Sequence, residues 1–221
     1  MSKFFRSCRA LSSVLIAGLP VLAVSAKDSG IEPGVKIIVR VYNYAHVSPK
    51  TQAEATREAT RIFSEVKVET LWLDCRLSME DTHADGACQQ PFGLTDFVLR
   101  ILPRSKLKAD RDSTFGGSLP SAEEGRGFIA NIFWNRIEGL TKWLQVSQSQ
   151  VLGLVAAHEL GHLLLGLDAH SSTGIMRSSW NKMDLERASQ GLLHFTPQQS
   201  EHIRAAVRAR TKERAALQAS D

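Results

Sequence analysis

Cysteine is scarce in this chain of 221 residues: there are three, Cys8, Cys75 and Cys88. No two of them have the close spacing of a thiolate metal site, so a zinc-ribbon type of protein is excluded. An excess of charge of one sign is lacking as well. Lys and Arg number 27 against 23 Asp and Glu, and three of the basic residues (Lys3, Arg6, Arg9) lie in the first 26 positions, which hold no acid. The remainder carries 24 basic against 23 acidic side chains, a net of +1, and gives no electrostatic reason to expect a nucleic-acid partner. No internal repeat is present, which argues against a solenoid or propeller.

Long apolar runs are missing too, except for "LSSVLIAGLPVLA" at 11–23. That run is short for a spanning helix and is interrupted by Gly18 and Pro20. Preceded by a basic stretch and followed by the small residues "VSA" at 24–26, it reads as a secretory signal peptide cut after Ala26. The expected organisation is therefore a signal peptide at 1–26 and a single domain at 27–221, exported to the periplasm or beyond, with no membrane partner after cleavage. Cys8 leaves with the leader. The remaining pair, Cys75 and Cys88, is then expected to form a disulfide, which would close a short loop and stabilise by about 3 kcal/mol on the chain-entropy estimate.

At 43% hydrophobic and 23% charged residues the chain is expected to fold, and its length suits one domain. "VKIIVRVYNY" at 35–44 alternates apolar and polar residues as a half-buried strand does. Ser48 and Pro49 then open a helix as N-cap and first helical residue. Further strands are expected at 67–75, 95–103 and 127–135, with a long loop over the polar, glycine-rich stretch 104–126. A helix follows from Ser147, capped with Gln150, to Gly166, placed to end it in a left-handed cap. Residues 171–194 read as irregular, and Thr196-Pro197 opens a last helix. The fold class is α+β, a mixed twisted sheet packed on helices.

The helix from Ser147 holds the chemistry. Between Val151 and Leu165 its only polar side chains are His158, Glu159 and His162. A helix apolar nearly all round is a buried one, and burying two imidazoles and a carboxylate without partners costs several kcal/mol by order of magnitude. The spacing suggests the compensation. Residues four apart share a helix face, so His158 and His162 can present two nitrogens to one zinc ion. Glu159, rotated by about 100°, flanks that ion and can take a proton from a zinc-bound water.

"HELGHLLLGLDAH…GIM" (158–176) resembles the metzincin clan of zinc endopeptidases, in particular the matrixins. The resemblance covers residues 147 to about 180. It implies a zincin fold with a sheet-and-helix upper subdomain (about 35–166), the active-site helix, and a small lower subdomain (about 167–218) ending in a helix. It also implies a methionine turn at Met176 beneath the ligands, and an edge strand above the cleft, matched here to 127–134. Departures from the pattern leave the third ligand open. The clan's glycine stands three residues after the second histidine, whereas Gly166 stands four after His162. Asp168 occupies the clan's ligand spacing, and His170, two residues further, has the usual ligand chemistry. His170 is favoured because four residues past Gly166 return more easily toward the helix. Asp168 is the alternative, and Glu186 a more distant one. Trp180 is expected only to pack, and His46, His83, His194 and His202 to lie at the surface.

The expected function is an exported zinc metalloendopeptidase acting on a peptide or protein substrate, with Zn2+ as cofactor and Glu159 as general base. The alternative is a zinc-containing, non-catalytic binding protein of the same fold. No unpaired cysteine remains to block a zinc, and only about eight residues separate the expected cleavage site from the first strand, so cysteine-switch latency is not expected. No motif specifies oligomeric state or cleavage preference.

Overall fold

Val35, Ile37, Val39 and Val41 alternate along the first strand, and all four are buried. Around that strand is built a computed structural model of the chain, which describes residues 35–75, 86–104, 115–120 and 127–219. The expected signal peptide and His83 lie outside the described residues. The first half comprises β1 (Lys36–Asn43), α1 (Pro49–Glu65), β2 (Glu69–Asp74), the single turn α2 (Gly86–Gln89) and β3 (Asp96–Leu102). The second half comprises β4 (Gly116–Pro120), β5 (Gly127–Phe133), α3 (Trp134–Leu144), α4 (Gln148–Leu165), α5 (Lys182–Ser189) and α6 (Pro197–Gln218).

The sheet is five-stranded and mixed, in the order β2-β1-β3-β5-β4. β1 pairs in parallel with β2 and β3, β3 in parallel with β5, and among the described residues only β4 runs antiparallel, against β5. Parallel neighbours need long crossovers between them, and α1 supplies the first. It starts where Ser48 Oγ accepts the Thr51 N–H at 3.1 Å. It buries Ala55, Ala59, Ile62 and Phe63 on one stripe, the last two contributing roughly 1.5–3 kcal/mol each.

α4 packs against α1 through a glycine: a Cβ added at Gly153 would lie 2.6 Å from the Ala55 carbonyl oxygen. The helix is buried along almost its whole length, as its apolar sequence requires. Ser147 caps it, accepting from the Gln150 N–H at 3.4 Å. It ends at Gly166, whose φ is 100° and ψ 166°. The positive φ explains the glycine, but the ψ is extended rather than left-handed helical, so the expected left-handed cap is corrected.

On the sheet's other face Arg40 is buried. Its guanidinium pairs with Asp96 at 2.8 Å and donates to the carbonyls of Cys88 and Pro91. Cys75 and Cys88 are joined by a disulfide, with Cα atoms 5.8 Å apart. The end of β2 is thereby tied to Cys88, whose carbonyl accepts from Arg40 of β1.

Three expectations about the layout need correction. The stretch 104–126 is not all loop, because Gly116–Pro120 forms β4. "GGSLP" has no apolar alternation, and its strand state comes from pairing with β5, a long-range contact. Consequently β5 is not an edge strand, since β3 and β4 flank it, and β4 takes the edge. Residues 171–194 also include α5, opened by a reciprocal capping box between Asn181 and Asp184. Among the described residues no helix is long and apolar enough to cross a membrane.

Candidate metal centre

Two turns of α4 place the first histidines. His162 is buried and His158 half-buried, and their Nε2 atoms lie 3.1 Å apart. The chain turns at Gly166 and brings back His170, exposed, whose Nε2 stands 3.2 Å from that of His162. Ligand atoms of all three lie within 4.8 Å of one another. The imidazole at 170 is thus the group that returns to the helix. Asp168 is exposed and outside the cluster, and exposed Glu186 lies 3.8 Å from Lys182.

The hydrogen bonds fix which nitrogen faces inward. His158 Nδ1 lies 2.8 Å from the Ile175 carbonyl oxygen, and His162 Nδ1 lies 3.2 Å from that of Gly166. A carbonyl only accepts, so each Nδ1 carries the proton and each Nε2 of a neutral ring presents a lone pair. Both rings are held neutral. Burial pushes the pKa of His158 down to about 4, against the raising effect of the Ile175 carbonyl and with further lowering by the facing His162 and His170. Burial likewise lowers that of His162, opposed by the Gly166 carbonyl and reinforced by His170.

Two lone pairs facing each other at 3.1 Å repel unless a cation lies between or beside them. Tetrahedral zinc with bonds of about 2.05 Å sets its nitrogen ligands about 3.3 Å apart, close to the spacing found here. The chemistry of the donor set and its separation therefore fit zinc.

Beneath the helix, Met176 is fully buried, and a Cβ added at Gly161 would lie 2.6 Å from its Sδ and 3.0 Å from Phe195 Cε1. The turn that carries Met176 is held by its neighbours. The Ser171 N–H donates to the Met176 carbonyl at 2.9 Å, and the Ile175 N–H to that of His194 at 2.9 Å. Gly174 takes φ 76° with its Cα so close to the His194 carbonyl that a Cβ would come within 2.5 Å of the oxygen, which explains a glycine at this position. Arg177, the next residue after the methionine, forms an ion pair with Asp184 of α5 at 2.9 Å.

Glu159 is only 4% exposed, and its carboxylate lies against the first residue of β4. Of two neighbours of the centre, Trp180 is expected from the sequence to pack near Met176 but with no role toward the histidines, and Phe115 is not singled out at all. Trp180 meets His158 edge to face, with ring centroids 5.5 Å apart, and donates its indole N–H to the Ile175 carbonyl at 3.2 Å. Phe115 stacks on the same indole at 6.2 Å. Neither residue belongs to a spacing that sequence could single out, because both contacts arise from the fold.

The fold is similar to that of a solved zinc-dependent peptidase from Methanocorpusculum labreanum (strain Z). The TM-score is 0.50 at 14% sequence identity, covering 75% of this chain and 99% of that one. The solved archaemetzincin from Methanopyrus kandleri is matched with a TM-score of 0.49 at 16% identity, over 80% of this chain and 99% of that one. No protein-family profile matches the sequence, and no curated protein matches it. At such identity the likeness to the Methanocorpusculum enzyme is one of fold: a five-stranded mixed sheet packed on helices, like that of a zinc peptidase, with three histidines in this chain placed to hold a metal ion.

Proposed function

We propose that this chain is an exported, metzincin-type zinc endopeptidase acting on peptide or protein substrates. The observation that carries the reading is the convergence of three histidine Nε2 atoms at the C-terminal end of a buried helix. His158, His162 and His170 are the proposed ligands, and Met176 is the floor beneath them.

A bound zinc supplies Lewis acidity toward the scissile carbonyl and acidifies water. His158 and His162 keep their Nε2 atoms inward by donating from Nδ1 to backbone carbonyls. Glu159 takes the proton from the attacking water and hands it to the departing amine. The outer edge of β4 is the proposed binding strand, holding an extended substrate by main-chain pairing. The cleft then lies between the part up to residue 166 and the part after it. Export is supported by the disulfide, since such bonds persist in oxidising compartments.

The second reading, a zinc protein without hydrolysis, is favoured by one observation, the near-complete burial of Glu159. One experiment separates the two. Zinc content and hydrolysis of a mixed peptide pool are measured for the wild type and Glu159→Gln. The proposal expects about one zinc per chain in both and turnover in the wild type alone. Zinc in both with no turnover in either would establish the binding protein. A wild type without zinc, or an active Glu159→Gln variant, would end the proposed mechanism.

A further inference from the structure

β4 begins with two glycines that stand in different surroundings. A Cβ added at Gly117 would meet nothing within 4 Å. At Gly116 it would lie 2.6 Å from Glu159 Oε1, 2.7 Å from Glu159 Cδ and 2.6 Å from the Asn131 carbonyl oxygen. Neither residue is among the glycines with positive φ, so backbone conformation does not explain the glycine at 116. The close approach of the carboxylate does.

Gly116 is held in place from two directions. It pairs in the ladder with Ile132, which is fully buried, and the Phe133 N–H donates to the Phe115 carbonyl at 2.8 Å. On the other side Phe115 stacks on Trp180, which in turn meets His158. The strand's first residue is therefore located by both the sheet and the histidine cluster, while the end of the Glu159 side chain is the softest of the atoms a Cβ would strike. Any side chain at 116 would press on the carboxylate as closely as on the Asn131 carbonyl oxygen, and of the two only the carboxylate can turn about side-chain bonds.

We propose that Gly116 is a positioning residue for Glu159: by having no side chain it lets β4 close over the carboxylate and set where that group stands beside the metal ligands. The inference rests on Glu159 being the proton-transfer group of the proposed hydrolysis. Ordinary carbon–oxygen contact is about 3.4 Å, so Gly116→Ala moves the carboxylate by about 1 Å, and a misplacement of that size can cost about 100-fold in rate.

The test uses the full, zinc-loaded protein and two readouts. On a peptide pool that the wild type cleaves, Gly116→Ala is expected to lower kcat by about 100-fold, leave KM within about threefold and keep its zinc. Wild-type kcat, or a raised KM with kcat unchanged, would overturn the proposal. The second readout needs no activity and so stands even if the wild type proves not to be a peptidase. Gly116→Ala is expected to lower Tm more than Gly117→Ala does. That fall should shrink by about half when residue 159 is also changed to alanine, the Asn131 contact accounting for the rest. An undiminished fall in the Glu159→Ala background would show that residues 116 and 159 are not coupled, and the proposal would fail.

Discussion

His158 and Trp180 donate to the same acceptor: the Ile175 carbonyl oxygen lies 2.8 Å from Nδ1 of the imidazole and 3.2 Å from Nε1 of the indole. The carbonyl that sets the tautomer of one proposed ligand is therefore itself held by a tryptophan. Partners that orient ligand histidines typically matter by 10–100-fold in metal affinity. Trp180 acts one step further out, so Trp180→Phe, which keeps a ring and loses the N–H, should weaken zinc binding by about tenfold. Zinc titration against a competing chelator measures it, and unchanged affinity would reduce Trp180 to packing.

The third ligand can be assigned by subtraction. His170→Ala should remove most of the zinc while leaving the fold intact, because residue 170 is exposed. Asp168→Ala should leave zinc content unchanged. Metal analysis of the two purified variants decides, and loss of zinc in the aspartate variant would reverse the assignment.

Two helix glycines should respond to alanine with opposite signs. Gly139 in α3 has nothing within 4 Å of an added Cβ, so Gly139→Ala should stabilise by about 0.5–1 kcal/mol through helix propensity. Gly161 abuts the sulfur of Met176 and the ring of Phe195, and Gly161→Ala should destabilise by about 1–3 kcal/mol through overpacking. Urea unfolding of both variants provides the comparison. Equal effects would mean that the contact between helix and turn is looser than the structure has it.

Acid should destabilise the metal-free chain through His158. Its pKa is about 4 when folded and near 6.5 when unfolded, so between these values the unfolded state binds more protons. The contribution is complete above about pH 6.5 and is lost as pH falls toward about 4. Denaturant midpoints of the chelator-treated protein at pH 7.5 and pH 4.5 should differ in that direction, and the difference should shrink in His158→Ala.

Much of the fold was legible where local signals and final structure agree. The alternation of Val35, Ile37, Val39 and Val41, the Ser48–Pro49 start of α1 and the Thr196–Gln199 capping box of α6 each state their element locally. β4 was hidden because its strand character is conferred by β5. α3 was hidden because it follows β5 without a break and has no capping side chain at Phe133. α5 was legible in principle, since Asn181 and Asp184 stand at capping-box spacing, but its short span carries little apolar periodicity. In the centre, the spacing of His158 and His162 declared itself. The choice between Asp168 and His170 depended on how the chain leaves Gly166, which spacing along the sequence does not encode.

The disulfide has a topological consequence. Because Cys75 is bonded to Cys88, the chain between them can be cut once without separating the molecule into two pieces. The residues on either side remain tied to the sheet independently, β2 through its pairing with β1, and Cys88 through the guanidinium of Arg40 at 3.1 Å. In a compartment that contains peptidases, a nicked molecule would keep its sheet and its histidine cluster, and its two pieces would part only once the disulfide was reduced.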